Sequence, residues 1–328
     1  MTARRDRFDS KRKKNDRRSI NGQDWAAMRF RVRHVTRFGY DEAAYESHNE
    51  VRLRPRESTG QRTIGFRLEV IPRAAVIDYR DSFGNFVHAL SVHEPHRELV
   101  VVADSLIERA APRPLDAPRH PFGEFLAGDA LRSQLEYDFL HPSRYVPFSE
   151  PLKRLFWMAR PRMNEQVADY VCRIVGWIRG QFAYEPGTTN VRSDLNHILH
   201  AGGGVCQDFA HLSIGILRLA GVPARYVSGY LAPTLEPGNR RPLGEQASHA
   251  WLEAMIPDAG WIGFDPTHGG RAGDHHLRVA VGRDYADVPP ITGIYRSVGA
   301  TQSMRVSLDI SEPEDSASSP LDPGALQQ

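Results

Sequence analysis

One cysteine occupies a position that favours nucleophilic chemistry. Three glycines, residues 202–204, shortly precede Cys206, which opens a run of apolar residues at helical spacing. The positive end of a helix stabilises an anion by about 0.3–1 kcal/mol when exposed and by up to about 2 kcal/mol when partly buried. One pKa unit corresponds to about 1.4 kcal/mol, so a helix alone leaves an ordinary thiol of pKa about 8.5 mostly protonated at neutral pH. Cys206 therefore needs a cationic neighbour, and we expect a histidine.

A histidine and a carboxylate follow in a segment with the pattern of a β-hairpin. Residues 248–270, SHAWLEAMIPDAGWIGFDPTHGG, contain two strand-length runs separated by a three-residue loop. If Ile256 faces Gly260 across that loop, His249 and Asp265 lie on the same face as diagonal neighbours about 7–8 Å apart. A loop of two or four residues would place them on opposite faces. The prediction of a joint site therefore depends on this odd loop.

Together the three residues predict a catalytic triad. Cys206 would attack an acyl carbon, and His249 would hold the thiolate as an ion pair and later protonate the leaving amine. Asp265 would fix the orientation and tautomer of the imidazole. Asp265 precedes a proline, so its side chain could instead serve only an Asx-turn.

Other residues near the triad are candidates for accessory roles. The backbone N–H of Cys206, at the start of a helix, is a candidate oxyanion donor. The side chains of Gln207 and Tyr184 are further oxyanion candidates. Trp251 and His268 are candidates for the wall of the substrate cleft. We assign no residue to a metal and no cofactor to the protein.

The elements that must position these residues fall into two groups, which predicts an α+β protein. Residues 28–110 contain short runs of period two separated by turn residues, which predicts an N-terminal antiparallel β-sandwich. Residues 111–162 begin with a proline-rich stretch and are interpreted as a linker and connecting segment, with a helix expected at 151–159. Residues 163–310 carry the triad and form the predicted catalytic domain.

Within the catalytic domain, helical periodicity is strongest just before the cysteine. Residues 164–181 form one apolar stripe, with Asn164 as the expected N-cap. A second helix is expected over 192–200, ended by glycine. The helix beginning at Cys206 should end at Gly221, and residues 224–231 should follow as a strand.

Composition excludes several classes of protein. Hydrophobic residues make up 41% and charged residues 25% of the 328 residues, which is typical of a globular chain, and the net charge is +2. Two cysteines are too few for a disulfide scaffold. There is no apolar run of about 20 residues and no signal-peptide pattern, which predicts a cytoplasmic protein with no membrane partner.

The two ends of the chain are predicted to be disordered. Residues 1–27 form a basic arm, interpreted as a solvated segment, although a nucleic-acid tether and a natural start at Met28 remain alternatives. We expect no specific nucleic-acid partner, because the charges are mixed and no aromatic residues interleave. Residues 311–328 are rich in Ser, Pro and Asp and are interpreted as a tail. The oligomeric state cannot be derived from the sequence.

Three blocks of the chain resemble a known family. GVCQDFAHL around Cys206, SHAWLE around His249 and GWIGFDPTHG around Asp265 are similar to the signature blocks of the transglutaminase-like superfamily, bacterial branch. NEVRLRPRES (49–58) and nearby segments resemble the N-terminal domain of that branch. The resemblance implies a papain-like core, with the nucleophile helix packed on an antiparallel sheet. It also implies acyl transfer on amides through a thioester, with Cys206, His249 and Asp265 as catalytic residues.

Two departures from the family pattern concern the substrate more than the triad. The block after Asp265 commonly has Asn where this chain has His268, and IYRS (294–297) stands where more glycine is expected. The family also includes hydrolases, so the resemblance does not establish protein cross-linking. A peptide or amide, including one in a protein, is the expected substrate. Hydrolysis is favoured over transfer to an amine because the sequence shows no second binding motif.

Two further hypotheses compete with catalysis. A non-catalytic scaffold could keep the fold and bind a partner through its β domain. A metal could bind near His197 and His200, or near His268 and the pair His275-His276, but neither group has the three or four convergent ligands that zinc sites show. His211, inside the nucleophile helix, is interpreted as a hydrogen-bonded core residue.

Overall fold

The structure, a computed structural model, describes most of the chain between the two ends. All of the predicted arm except Ala27, most of the predicted tail and most of the proline-rich stretch lie outside the described residues, as does the side chain of His197. The described ranges are 27–112, 120–127, 134–185, 195–233, 248–298 and 301–313.

Strands and helices in these ranges give an α+β protein, as predicted. The strands are β1 (Ala27–Val51), β2 (Gln61–Ile71), β3 (Ala75–Arg80), β4 (Phe86–Val92), β5 (His96–Ala110), β6 (Ala183–Tyr184), β7 (Gly203–Gly204), β8 (Ala224–Leu231), β9 (Ser248–Ile256), β10 (Gly260–Asp265), β11 (Gly270–Arg271), β12 (His276–Gly282), β13 (Ile291–Arg296) and β14 (Gln302–Ser311). The α-helices are α1 (Phe122–Ala127), α2 (Gln134–Tyr137), α3 (Glu150–Ala159), α4 (Val167–Gln181), α5 (Leu195–Ala201) and α6 (Cys206–Leu219).

The N-terminal strands form a curled antiparallel sheet built on one long strand. The first part of β1 pairs with β5 and β14, and its last part pairs with β4 and β13. The register shifts between Gly39 and Ala44, so the strand changes direction there. The two halves enclose one apolar cluster, which confirms the predicted sandwich. The cluster contains Phe38, Tyr40, Ala44, Val51, Leu53, Leu90, Val92, Leu99, Val101 and Ala103.

The last two strands return to the N-terminal sheet. β13 and β14 both pair with β1, with Val51 opposite Ile291 and Arg31 opposite Ser311. The predicted catalytic range 163–310 therefore contains strands that complete the sheet of the other domain. Period-two alternation identifies a strand but not its partner, so this pairing could not be predicted from the sequence.

The catalytic part is a helix packed on a five-stranded antiparallel sheet of order β11-β10-β9-β8-β12. Residues 207–218 of α6 are all buried, since this helix packs against α3, α4, β8 and β9. The apolar stripe predicted for α4 is confirmed, because Tyr170, Ile174 and Ile178 are all fully buried. Its N-cap is Gln166 and not Asn164, so that part of the prediction is wrong.

Two amide side chains of the N-terminal domain cover the free edge of the catalytic sheet. Gln61 donates to the carbonyl of Arg278 at 2.7 Å and accepts from its N–H at 2.8 Å. Asn85 makes the same pair of bonds to Val281, at 2.7 and 2.9 Å. A bulge in β12 between Arg278 and Ala280 turns both residues toward this edge. Each amide thus replaces one peptide group of a neighbouring strand.

Among the described helices, none is long and apolar enough to cross a membrane.

Candidate active site

Cys206 is positioned by a tight turn whose geometry requires glycine. Gly202, with φ of 75°, follows α5 in the left-handed region, which confirms the predicted glycine stop. At Gly204 an added Cβ would lie 2.6 Å from Oδ2 of Asp208. That carboxylate accepts a hydrogen bond from the N–H of Val205 at 2.9 Å and caps the helix. Cys206 is thereby the first residue of α6, half-buried.

The hairpin has the register that the sequence predicted. Gly260 pairs with Ile256, and every further pair of β9 and β10 keeps the same register. The loop uses left-handed backbone at Asp258, with φ of 59°, and at Gly260, with φ of 74°. This odd loop places two side chains on one face. Nε2 of His249 donates to Oδ2 of Asp265 at 2.7 Å.

The same imidazole lies close enough to the side chain of Cys206 for the two to interact. Nε2 is engaged with Asp265, so Nδ1 is the nitrogen left for the sulfur. Burial disfavours the charged ring, but the interactions with Asp265 and Cys206 outweigh it and raise the pKa of His249 to about 10. The ring is therefore an imidazolium at neutral pH, which is the cation that a thiolate requires.

Asp265 uses its two carboxylate oxygens differently. Oδ1 accepts from the N–H of Thr267 at 2.8 Å, which is the Asx-turn that the following proline suggested. Oδ2 accepts from three imidazoles: His249, His268 at 2.7 Å and His276 at 2.9 Å. The turn and the contact with His249 therefore coexist in one side chain. The sequence had raised His276 only as half of a weak metal-binding pair.

These donors determine the charge of the buried carboxylate. Burial tends to raise the pKa of Asp265, but the hydrogen bonds from His249, His276 and His268 hold it well below its usual range. Burial also lowers the pKa of His276, against the opposing effect of Asp265. Nδ1 of His276 accepts from the N–H of Gly273 at 3.0 Å, so the proton of this neutral ring is on Nε2 and points at Asp265.

Four side chains here could also hold a metal ion. The ligand atoms of His249, Asp265, His268 and His276 all lie within 4.8 Å of one another. A metal-bound imidazole normally donates its other N–H to an acceptor. In His276 the other nitrogen accepts from Gly273, so its Nε2 is a donor to Asp265 and not a free ligand. The arrangement fits a hydrogen-bonded network better than a metal centre.

The two side chains proposed as oxyanion donors differ in their exposure to solvent. Tyr184 pairs with Gly204 in a short parallel ladder, and burial together with the charges of Cys206 and Asp265 raises its pKa. Its side chain is 41% exposed, so it borders the site. Gln207 is buried at the second position of α6.

The two cleft candidates also differ. Trp251 is fully buried, with its ring stacked at 6.0 Å from that of His249 and edge-on at 5.2 Å to that of His276. Its predicted position in the substrate cleft is therefore wrong, since it supports the two imidazoles from behind. The side chain of His268 is 57% exposed and lies at the mouth of the site.

One histidine and one cysteine lie outside this group. His211 is buried and accepts from the N–H of Tyr285 at 3.1 Å, and burial lowers its pKa to about 3, as expected of a neutral core histidine. Cys172 is an exposed free thiol. It lies beside the apolar stripe of α4 and not within it.

A cysteine that opens a buried helix, packed on a sheet that carries a hydrogen-bonded His and Asp, defines the papain-like class of folds. The family description "Transglutaminase-like superfamily" matches residues 158–266, and "Bacterial transglutaminase-like N-terminal region" matches residues 30–108. The chain belongs to the transglutaminase-like superfamily, and it carries the N-terminal region of the bacterial branch.

Curated relatives and solved structures agree with this placement. An uncharacterized protein of Mycobacterium leprae is 38% identical over 273 residues, covering 83% of this chain and 95% of the relative. A protein-glutamine gamma-glutamyltransferase of Pseudomonas aeruginosa is 36% identical over 90 residues, covering 26% of this chain and 14% of that protein. The crystal structure of a candidate cysteine protease from Cytophaga hutchinsonii superposes with a TM-score of 0.64 at 21% identity, covering 87% of this chain and 98% of that one, which shows a shared fold.

Proposed function

We propose that this protein is a cysteine-dependent enzyme that transfers an acyl group from an amide or peptide through a thioester, with Cys206, His249 and Asp265 as its catalytic triad. One observation carries the proposal: the His249 ring donates to Oδ2 of Asp265 at 2.7 Å, and its interaction with the Cys206 side chain helps to raise its pKa. A scaffold that only binds partners does not require a buried imidazolium between a thiol and a carboxylate.

The first half-reaction forms the thioester. The Cys206 thiolate adds to the amide carbon, and the oxyanion accepts hydrogen bonds from the backbone N–H of Cys206 and the hydroxyl of Tyr184. The C–N bond then breaks, and the amine leaves with the proton from Nδ1 of His249. Tyr184 is preferred to Gln207 because Gln207 is only 6% exposed.

The second half-reaction regenerates the enzyme. His249, now neutral, removes a proton from the acceptor, which attacks the thioester carbon. The C–S bond breaks and the sulfur leaves as the thiolate. We propose water as the acceptor and a peptide or protein as the substrate. The second candidate is transfer to a primary amine, which the relative from Pseudomonas aeruginosa favours through its name.

A screen of acyl donors tests both candidates. Purified protein is given peptide amides and γ-glutamyl donors, with and without a primary amine, and compared with Cys206→Ser. Carboxylate release that the amine does not alter supports hydrolysis, whereas incorporation of the amine supports transfer. No turnover by either protein would favour the scaffold. Cys172→Ser is the matched control, because it removes the exposed thiol and leaves Cys206 in place.

Reactivity toward iodoacetamide near pH 6 tests the nucleophile without a known substrate. In a Cys172→Ser background, Cys206 is the sole thiol of the chain. We expect it to react faster than a free cysteine, because the thiolate is the reactive form and an imidazolium stabilises it. A rate no higher than that of free cysteine would refute the proposal.

The cytoplasmic location and the absence of a specific nucleic-acid partner stay predictions from the sequence. A binding assay at low salt, with and without residues 1–27, tests the second of them.

A further inference from the structure

The carboxylate of Asp265 receives more hydrogen bonds than the proposed chemistry uses. The mechanism requires the bond from His249, yet Oδ2 also accepts from His268 and His276, while Oδ1 accepts from Thr267. A buried carboxylate needs hydrogen-bond donors even when it has no catalytic role, because an unpaired charge is costly in the protein interior. The two extra imidazoles are not equivalent, however, and the difference between them indicates a role for one.

His276 is held in one position and one tautomer. Its residue is 7% exposed, and the edge contact with Trp251 limits rotation of its ring. The N–H of Gly273 occupies Nδ1, so Nε2 always carries the proton and donates it to Asp265. His268 makes a bond of similar length, but its side chain is 57% exposed, so water competes for that bond.

The backbone that carries His276 is anchored on both sides. His276 pairs with Leu231 of β8, and the N–H of Ala232 donates to the carbonyl of His275 at 2.9 Å. Two residues further along β12, the peptide groups of Arg278 are held by Gln61 of the N-terminal domain. The ring is thus fixed to the sheet that also carries His249.

We propose that His276 is a positioning residue of the active site, whose Nε2–H fixes the Asp265 carboxylate so that Oδ2 stays aligned with Nε2 of His249. This inference rests on the proposed function, since the alignment matters only if His249 serves Cys206. Without His276 the carboxylate can rotate about its side-chain torsion toward His268 and water. His249 would then lose the partner that keeps it charged and oriented.

Two substitutions at one position separate positioning from packing. Glutamine can present an N–H near the place of Nε2, whereas leucine fills similar space with no donor. In a Cys172→Ser background with EDTA present, we expect His276→Leu to slow alkylation of Cys206 near pH 6 by about tenfold to 100-fold, as misplaced groups do in other sites. We expect His276→Gln to recover most of that rate.

His34 provides the matched control. It is also a buried histidine, 2% exposed, and is hydrogen-bonded to Tyr230 and Thr36. Among the described residues, the side chains of these two partners are not hydrogen-bonded to Cys206, His249 or Asp265. His34→Leu should therefore lower stability and leave the alkylation rate unchanged. Equal effects of the leucine substitutions at both positions would reduce His276 to a structural residue.

Nuclear magnetic resonance of histidine nitrogens gives a readout that is independent of the cysteine. We expect His276 to show a proton on Nε2 and none on Nδ1, and we expect His276→Leu, but not His34→Leu, to move the Nε2–H resonance of His249. An unchanged resonance together with an unchanged alkylation rate would overturn the inference. An unactivated Cys206 in the parent protein would instead refute the proposed function, while the resonance would still decide the role of His276.

If the leucine variant does not fold, His276→Asn replaces it, because the shorter amide cannot reach Asp265. A rate for the asparagine variant equal to that for the glutamine variant would also overturn the inference.

Discussion

At the scale of single residues, one carboxylate organises the site. Asp265 is 0% exposed, yet the three imidazoles and one backbone N–H around it keep it ionised. Because each of its oxygens has a separate set of donors, the side chain both closes its own turn and faces His249. A negative charge held in this way explains how a buried ring such as His249 can remain protonated at neutral pH.

Asp265→Asn should abolish this arrangement with little change in volume. The amide carries no charge to stabilise the imidazolium, and its NH₂ group can face His249 and favour the wrong tautomer. We expect turnover of any substrate found to fall by on the order of 10³–10⁴-fold. Alkylation of Cys206 near pH 6 should slow in parallel.

The control is Asp258→Asn in the loop of the same hairpin. Asp258 is exposed and pairs with His120 at 2.7 Å, far from the sulfur along the strands. Its substitution should leave alkylation unchanged. Comparable losses in the two variants would mean that the carboxylate of Asp265 is not what activates the cysteine.

The pKa of His249 predicts how stability depends on pH. Its value rises from 6.5 in the unfolded chain to about 10 in the folded protein, so the folded state binds the proton more tightly. The stabilisation is fully present below pH 6.5 and is lost as the pH rises through about 10. In the proposed ion pair the proton that His249 gains comes from the Cys206 thiol, so the net decline in the free energy of unfolding begins only above the ordinary thiol pKa of about 8.5. Urea unfolding between about pH 8.5 and 10 should show this decline, and His249→Gln should make it shallower. An equally steep decline in the variant would contradict the assignment.

At the scale of elements, the hairpin of β9 and β10 shows what local sequence can predict. The alternation of residues and the odd loop gave both the strands and the register that brings His249 to Asp265. The same reasoning could not give His276, because β12 reaches the site through pairing with β8, a strand nearly fifty residues earlier in the chain. It also misplaced Trp251, since alternation assigns a residue to a face without stating what covers that face.

The loop length of this hairpin is therefore open to a direct test. If the loop keeps its three residues, inserting one glycine after Asp258 shifts the register by one residue and turns the side chain of Asp265 to the opposite face. Alkylation of Cys206 should then fall toward the rate of a free thiol. Inserting two glycines restores an odd number of residues between Ile256 and Gly260 and should recover part of the alkylation rate. Identical rates for the one- and two-residue insertions would show that the register is not set by the loop.

At the scale of the whole molecule, the N-terminal domain and the catalytic sheet form a continuous hydrogen-bonded structure. β12 is the outer strand of its sheet, and an outer strand exposes unpaired peptide groups. Gln61 and Asn85 satisfy those of Arg278 and Val281, while β13 and β14 carry the chain back to β1. The sequence predicts two domains by pattern, but contacts between distant segments leave no periodic signal from which this junction could be predicted.

This junction predicts that a substitution in the N-terminal domain can alter the active site in the catalytic domain. Gln61→Leu leaves the N–H of Arg278 buried without its partner, at about 1–3 kcal/mol, while the carbonyl keeps the N–H of Arg56 at 3.3 Å. Thermal unfolding should show this loss. Because β12 also carries His276, the alkylation rate of Cys206 should fall as well, although Gln61 touches no residue of the proposed triad.

Substitutions of Asn85 and of an exposed glutamine provide two comparisons for Gln61→Leu. Asn85→Leu should have a similar effect on stability through Val281, but a smaller one on alkylation, because Val281 lies farther along β12 from His276 than Arg278 does. Gln302→Leu on the exposed face of β14 should change neither property, since this glutamine covers no buried peptide group. If Gln61→Leu lowers stability but leaves alkylation at the parent rate, the N-terminal domain stabilises the fold without positioning the active site.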